Sequence, residues 1–564
     1  MNPPPPLPPQ FHQLVGSTRD ALVAAGVVER LWTGDHRLWK PDPTEILNRL
    51  GWLTVIDEMR KQTAALTTFA KAARDRGIRD VVLLGMGGSS LGPEVLRASF
   101  GPAPRYPRLW VLDSTVPGWV RRVTKTINPA QTLFIVASKS GGTIEVMSLL
   151  AHFWELTRQA CGTRVGEQFV AITDPATGLE KLAAERQFWR IFTNPPDIGG
   201  RYSILSYFGL VPASLLGIDL ALLLTRAADM AGRCRVQTPI EQNPGAELGA
   251  TMGALARTGR DKITLLTSPK IASFGLWAEQ LLAESTGKEG TGLVPVAEEP
   301  LASAAAYGRD RLFVYLRLAG DANRQLDRHT VALERLGHPV VRLTLRDRHD
   351  LGGEFFRWEF ATAVAGHLLG IQPFDQPNVQ ESKDNTSRVL GALQATGRLP
   401  RRTLVAPKQA AAQLKRLCRP GTYVALLVYA TPSPGIERAL RALRKTLVAY
   451  RGVTTTAGYG PRYLHSTGQL HKGGPTSGVF LQLIERMQPD IPIPEKPFTF
   501  GTLAEAQAAG DVEALHAHER AVITVSLGKQ PLATLNGLTR LLSPSRPARR
   551  SGVPRTAGRR PRKK

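Results

Sequence analysis

The chain has 564 residues, 42% of them hydrophobic and 21% charged. That suffices for soluble cores in two to four domains and excludes a wholly disordered chain. The most apolar stretch, Val211 to Leu224, is broken by Asp219 and is too short to span a bilayer. The Pro-rich start, Met1 to Pro9, lacks the apolar centre of a signal peptide. Cys161, Cys234 and Cys418 are far apart, odd in number and in no metal-ligand spacing, which fits a reducing cytoplasm. The formal net charge is +25, and nine Lys/Arg with no acid lie in Ser543 to Lys564, leaving +16 for the other 542 residues. That tail, residues 543–564, reads as disordered. It is either a nonspecific tether for polyanions or a solvated end of an Arg-rich protein.

Residues 1–10 read as disordered and 11–75 as helices, with Leu, Trp and Ile at helical spacings. A strand–loop–helix series follows over 76–230. Its strands are Asp80 to Leu84, Leu109 to Leu112, Thr132 to Ala137 and Phe169 to Ile172. Their short, continuous apolar runs suit a parallel sheet buried on both faces. The pattern restarts over 231–400, with strands at Lys262 to Leu266, Arg311 to Leu316 and Val340 to Leu345. Residues 401–542 carry Tyr423 to Tyr429 and Val479 to Leu483 and are expected to complete the second domain as an α/β extension.

Two strand-to-helix loops are suited to a phosphate. GMGGSSLGP (Gly85 to Pro93) is Gly-rich, so the backbone can approach a ligand and present N–H groups beside a helix dipole. It also resembles a dinucleotide fingerprint, with Asp113 at the end of the next strand as a ribose-binding acid. SKSGGT (Ser138 to Thr143) puts Ser138, Ser140 and Thr143 hydroxyls and the Lys139 cation into one turn. Simple N-capping needs one hydroxyl, whereas three beside two glycines suit a phosphate.

These loops resemble the signature loops of sugar isomerase (SIS) domains. GGRYSILSYFGLVPASLLGID (Gly199 to Asp219), AESTGKEGTGLVPV (Ala283 to Val296) and GGEFFRWEFATAVAGHLLGIQPFDQPNVQESK (Gly352 to Lys383) narrow the resemblance to the glucose-6-phosphate isomerase family. GYGPRYLHSTGQLHKGGPTSGVFLQL (Gly458 to Leu483) resembles the isomerase half of bacterial transaldolase–isomerase fusions. The resemblance covers roughly residues 20–540. It implies an α/β fold of two SIS-type parallel-sheet sandwiches, three layers each. It implies metal-independent interconversion of glucose 6-phosphate and fructose 6-phosphate through an enediolate, in glycolysis and gluconeogenesis, with no cofactor. The chain begins where the isomerase half would begin, so no transaldolase activity is expected.

The residue roles follow from this resemblance and from local pattern. Glu284 lies on the wheel near the apolar stripe of Phe274, Trp277 and Leu281, with Glu279 opposite, and is the expected base. The alternative is a helix-end carboxylate paired with Lys288. Gln376 and Lys383, nearly two turns apart behind Pro377, face one ligand, and Lys383 assists ring opening. Arg201, after two glycines, would stabilise the enediolate. The family's ring-opening histidine is assigned to His465 in LHSTGQ, with His471 as runner-up and His349 and His367 less favoured. Ser138, Lys139, Ser140 and Thr143 would bind the phosphate, and Gly88 and Ser89 the sugar.

Three other readings compete. A phosphosugar sensor would have lost Glu284 or Arg201. A nucleotide-dependent dehydrogenase leaves SKSGGT without a role. A nucleic-acid binder needs aromatics among its basic residues, and the tail has none. Mannose 6-phosphate as a second substrate and a homodimer are left open.

Overall fold

The computed structural model describes residues 7–397 and 402–543. The expected disorder of 1–10 and 543–564 falls largely outside these residues. Where it does not, the chain is already ordered: a helix begins at Pro9, with proline at the first turn, where its missing N–H costs nothing.

Thirteen strands among the described residues form three parallel sheets. β1 (Asp80–Gly85), β2 (Arg108–Leu112), β3 (Thr132–Ala137), β4 (Phe169–Thr173) and β5 (Arg190–Thr193) are ordered 2-1-3-4-5. β6 (Lys262–Thr267), β7 (Val294–Val296), β8 (Arg311–Leu318) and β9 (Val340–Leu345) are ordered 7-6-8-9. β10 (Tyr423–Tyr429), β11 (Thr454–Tyr459), β12 (Gly478–Glu485) and β13 (Ala521–Gly528) are ordered 11-10-12-13. The strands after 400 therefore make a sheet of their own and do not extend the second, as the sequence had suggested. All three sheets repeat the same winding, the second strand returning to the left of the first and the third to its right.

Period-two alternation explains why each sheet is covered on both sides. In β1, Val81 and Leu83 join one apolar cluster while Val82 and Leu84 join another. β10 divides in the same way. Val424, Leu426 and Val428 face the sheet's own helices, whereas Tyr423, Ala425, Leu427 and Tyr429 pack with Ala283 and Val294 from the middle of the chain. The third sheet is thus fastened by an aromatic face to the helix that carries Glu284. The first two sheets share the largest cluster, into which the N-terminal helices insert Trp39, Trp52 and Phe69. No helix among the described residues is long and apolar enough to cross a membrane.

Candidate active site

In a sheet wound 2-1-3-4-5, connections leave the first and third strands in opposite directions and open a crevice at their carboxyl ends. Here β1 and β3 end at Gly85 and Ala137, so the two Gly-rich loops border that crevice. The first loop runs straight into helix Gly88–Phe100, which takes in residues 88–93 of the Gly-rich stretch. Its glycines are set by close approach. A Cβ on Gly88 would lie 1.9 Å from the Gly200 carbonyl oxygen. A Cβ on Gly87, at φ +55°, would lie 2.6 Å from that of His465. Glycine there lets the Arg201 and His465 segments close onto the loop.

The second loop ends at Thr143, which precedes helix Ile144–Cys161 but places no side-chain cap on it. Its hydroxyl lies 3.0 Å from that of Ser138 instead. Helices Gly88–Phe100 and Pro377–Thr396 also start without side-chain caps, at Gly87 and Gln376. Three uncapped helix N-termini therefore border the crevice, each with spare N–H groups and a positive dipole end.

Arg201 is 2% exposed and rigidly held. It donates to Ser285 Oγ (2.8 Å), Gln376 Oε1 (2.7 Å) and the carbonyls of Pro373 and Asp375 (both 2.9 Å). Its Nη1 also lies 3.4 Å from Glu284 Oε1. Glu284, 7% exposed, accepts from Gln280 Nε2 at 2.9 Å, and the same amide donates to the His465 carbonyl at 2.9 Å. Helix Phe274–Thr286 is buried almost all round. Glu279, expected on a polar side, is thus buried too, and burial pushes its carboxyl up to about 8. Lys288 does not pair with Glu284. It binds Asp375 and the carbonyls of Gln372 and Asp375 below the crevice. Burial, aided by the Arg201 charge, pulls its ammonium down to about 8.

His465 comes from the third sheet, just beyond β11, and its Nε2 lies 2.8 Å from Glu145 Oε1. Glu145 also accepts from Gln507 Nε2 at 2.6 Å, and Gln507 Oε1 accepts from Thr115 Oγ1 at 2.7 Å. Burial works to raise the Glu145 carboxyl, yet the charge and hydrogen bond of His465 hold it below its ordinary value. The imidazole therefore has a fixed orientation and an anionic partner.

Glu284, Lys383, Arg201, His465, Gly88, Ser89, Ser138, Lys139, Ser140, Thr143 and Gln376 all line one cavity of about 530 Å³. Lys383 is exposed at its mouth and makes no ion pair among the described residues. Lys139 pairs with Asp174 and donates to the Pro196 carbonyl at 2.9 Å, so its charge is already balanced. Asp113 cannot serve a ribose, because it is fully buried in a two-bonded pair with Arg462 at 2.7 and 2.8 Å. His471 lies outside this cavity, and His349 and His367 sit against Phe100 and the Leu38 carbonyl. Sequence reasoning missed Glu145, Gln280 and Gln507. The first lies inside the SKSGGTIE segment and the second one turn before Glu284, whereas Gln507 had no local signal.

This cavity combines a phosphate-suited loop, a buried carboxylate against an arginine, and a histidine backed by a carboxylate: the equipment of a phosphosugar-handling α/β protein. Residues 44–293 match the phosphoglucose isomerase family model. The chain is 30% identical over 387 residues to the glucose-6-phosphate isomerase of Rubrobacter xylanophilus, covering 59% of this chain and 87% of the relative. To that of Symbiobacterium thermophilum it is 30% identical over 391 residues, covering 60% and 86%. A solved glucose-6-phosphate isomerase from Chlamydia trachomatis superposes with a TM-score of 0.59 at 17% identity, over 67% of this chain and 86% of that one. A hypothetical protein from Thermus thermophilus superposes at 0.56, with 24% identity over 68% and 95%. The chain belongs to the phosphoglucose isomerase family.

Proposed function

We propose that this cavity interconverts glucose 6-phosphate and fructose 6-phosphate, a step of glycolysis and gluconeogenesis carried out in the cytoplasm. The observation that carries the reading is that all four expected catalytic side chains, drawn from distant parts of the chain, line the cavity whose wall is the SKSGGT loop. The phosphate binds Ser138, Ser140 and Thr143 at the start of helix Ile144–Cys161. A dianion there gains hydroxyl donors and a helix dipole together. Lys139 orders the loop through Asp174. Gly88 and Ser89 meet the sugar.

Ring opening needs a proton moved from the anomeric hydroxyl to the ring oxygen. His465, oriented by Glu145, and Lys383 at the mouth serve that step. Glu284 then takes the proton from C2 and returns it to C1, or the reverse. Between the two transfers the negative charge sits on the enediolate oxygens. Arg201, already immobilised by its other hydrogen bonds, stabilises that charge without reorganising. Gln376 shares an Arg201 N–H and orients its face toward the sugar.

The LHSTGQ segment lies in the third sheet unit, within the stretch by which the chain resembles the isomerase half of transaldolase–isomerase fusions. One chain then holds every group required, and a homodimer is not needed for chemistry. The test is conversion of fructose 6-phosphate by purified protein in excess EDTA, coupled to glucose-6-phosphate dehydrogenase. Turnover that persists in EDTA and on dilution supports the reading. Absence of turnover, with fructose 6-phosphate still bound, replaces it with a phosphosugar sensor.

A further inference from the structure

A second cavity, of about 570 Å³, lies between the third sheet and the helices that carry Ser89 and Glu284. No residue lines both cavities. Yet they stand back to back. Helix Phe274–Thr286 turns Glu284 to one and Glu279 to the other, and the chain after β11 gives His465 to one and Ser466 and His471 to the other. The volume falls in the range of small-molecule sites, and such sites favour junctions between units.

Some of its polar groups serve the fold, Arg462 bonding Asp113 and Tyr459 donating to Glu437, but others do not. His471 is 3% exposed, packed against Tyr423, Tyr463 and Phe480, and its Nδ1 has no hydrogen-bond partner among the described residues. Burial, with the charges of Lys472 and Arg520, keeps the imidazole far below its ordinary value and so neutral. An unpaired buried nitrogen costs free energy that a ligand group would recover. Glu279, 9% exposed, has its carboxyl pushed up to about 8 by burial, and one of its oxygens accepts from the Ala297 N–H at 3.3 Å. At the mouth, helix Pro434–Arg451 presents Arg438 and Arg441, both exposed and neither in a hydrogen bond or ion pair among the described residues, beside the carboxylates of Glu437 and of Glu298, which feels the Arg441 charge. The neighbouring Arg444 differs, its guanidinium being used up on the carbonyls of Ala297, Glu298 and Thr455. Leu276, Leu426 and Val428 supply apolar wall between mouth and interior.

We propose that this cavity is a second ligand site, for a small metabolite whose phosphate or carboxylate meets Arg438 and Arg441 and whose hydroxyl or ring heteroatom reaches His471. Exposed guanidinium groups at a mouth select an anion with paired oxygens.

The test is calorimetric titration of the full chain with AMP, phosphoenolpyruvate or citrate, in saturating fructose 6-phosphate so that the first cavity is filled. The three probes separate phosphate with a ring body, phosphate with carboxylate, and carboxylate alone. At least one is expected to bind with Kd below about 1 mM, and the Arg438→Ala/Arg441→Ala variant to weaken it at least about tenfold, a loss of about 1.4 kcal/mol. Both substitutions are at exposed positions, so the melting temperature and the turnover of fructose 6-phosphate should match wild type. Binding by none of the probes, or equal binding by the double variant, overturns the proposal. Calorimetry reads this site whether or not the chain isomerises its substrate, so the two proposals fail separately.

Discussion

Replacing Glu145 by Gln probes the histidine without moving it. The amide side chain keeps an oxygen where Glu145 Oε1 now meets His465 Nε2 at 2.8 Å and Gln507 Nε2 at 2.6 Å. What disappears is the negative charge. A hydrogen bond to a charged group contributes about 1.5–3 kcal/mol and one between neutral groups about 0.5–1.5. The difference, about 1–2 kcal/mol, appears wherever the imidazole carries a proton during ring opening. That predicts a fall in kcat of about 5- to 30-fold. KM for fructose 6-phosphate should stay within about twofold, since Glu145 is 3% exposed and behind the ring. Glu145→Ala also leaves Gln507 Nε2 without its acceptor in the core and should cost more, with a lower melting temperature. Steady-state kinetics in the coupled assay, beside thermal melts, measure all of this. A Glu145→Gln enzyme with wild-type kcat would refute the role given to His465. So would a loss seen only in KM.

Three further outcomes are expected. Thr143→Ala removes a hydroxyl 3.0 Å from Ser138 that caps nothing, so kcat/KM should fall about tenfold or more with an unchanged melting temperature. Gly88→Ala drives a Cβ to within 1.9 Å of the Gly200 oxygen and should abolish activity and lower solubility, read by assay and gel filtration. Glu279 holds its proton in the folded chain up to about 8, whereas the unfolded chain loses it near 4.5. Its folded-state advantage is therefore complete below 4.5 and declines as pH rises toward 8. Glu279→Gln escapes that decline. It should match wild type at pH 4.5 and be more stable at pH 8, by at most on the order of 4 kcal/mol, in denaturant titrations at both pH values.

The architecture was legible where the signal was local and strong. β3 and β10 sit where their apolar runs predicted, because strands buried on both faces cannot tolerate polar interruption, and β9 does too although its edge position admits Arg342 and Thr344. β5, β7, β11 and β13 went unread, the first three for physical reasons. β5 is a four-residue edge, β7 contains a proline, and β11 reads TTTAGY, which is hardly apolar. The independence of the third sheet was not legible, because pairing partners are set by tertiary contacts that no run of residues records. The catalytic candidates were found because each lies in a long motif. Their supports were not, since Gln507 reaches Glu145 across 362 positions and Arg462 reaches Asp113 across 349. The helical wheel put Glu284 beside the apolar stripe, where it is buried, but misjudged Glu279, because a helix buried almost all round has no polar face.

The central claim is that Glu284 carries the proton between C2 and C1. Its most direct test follows exchange of the C2 hydrogen of glucose 6-phosphate with heavy water by NMR, for wild type and Glu284→Gln. The account predicts exchange and isomerisation by wild type, and loss of both by about a thousandfold or more in Glu284→Gln, with sugar-phosphate binding retained through Ser138, Ser140 and Thr143. Exchange by Glu284→Gln at a rate near wild type would contradict it.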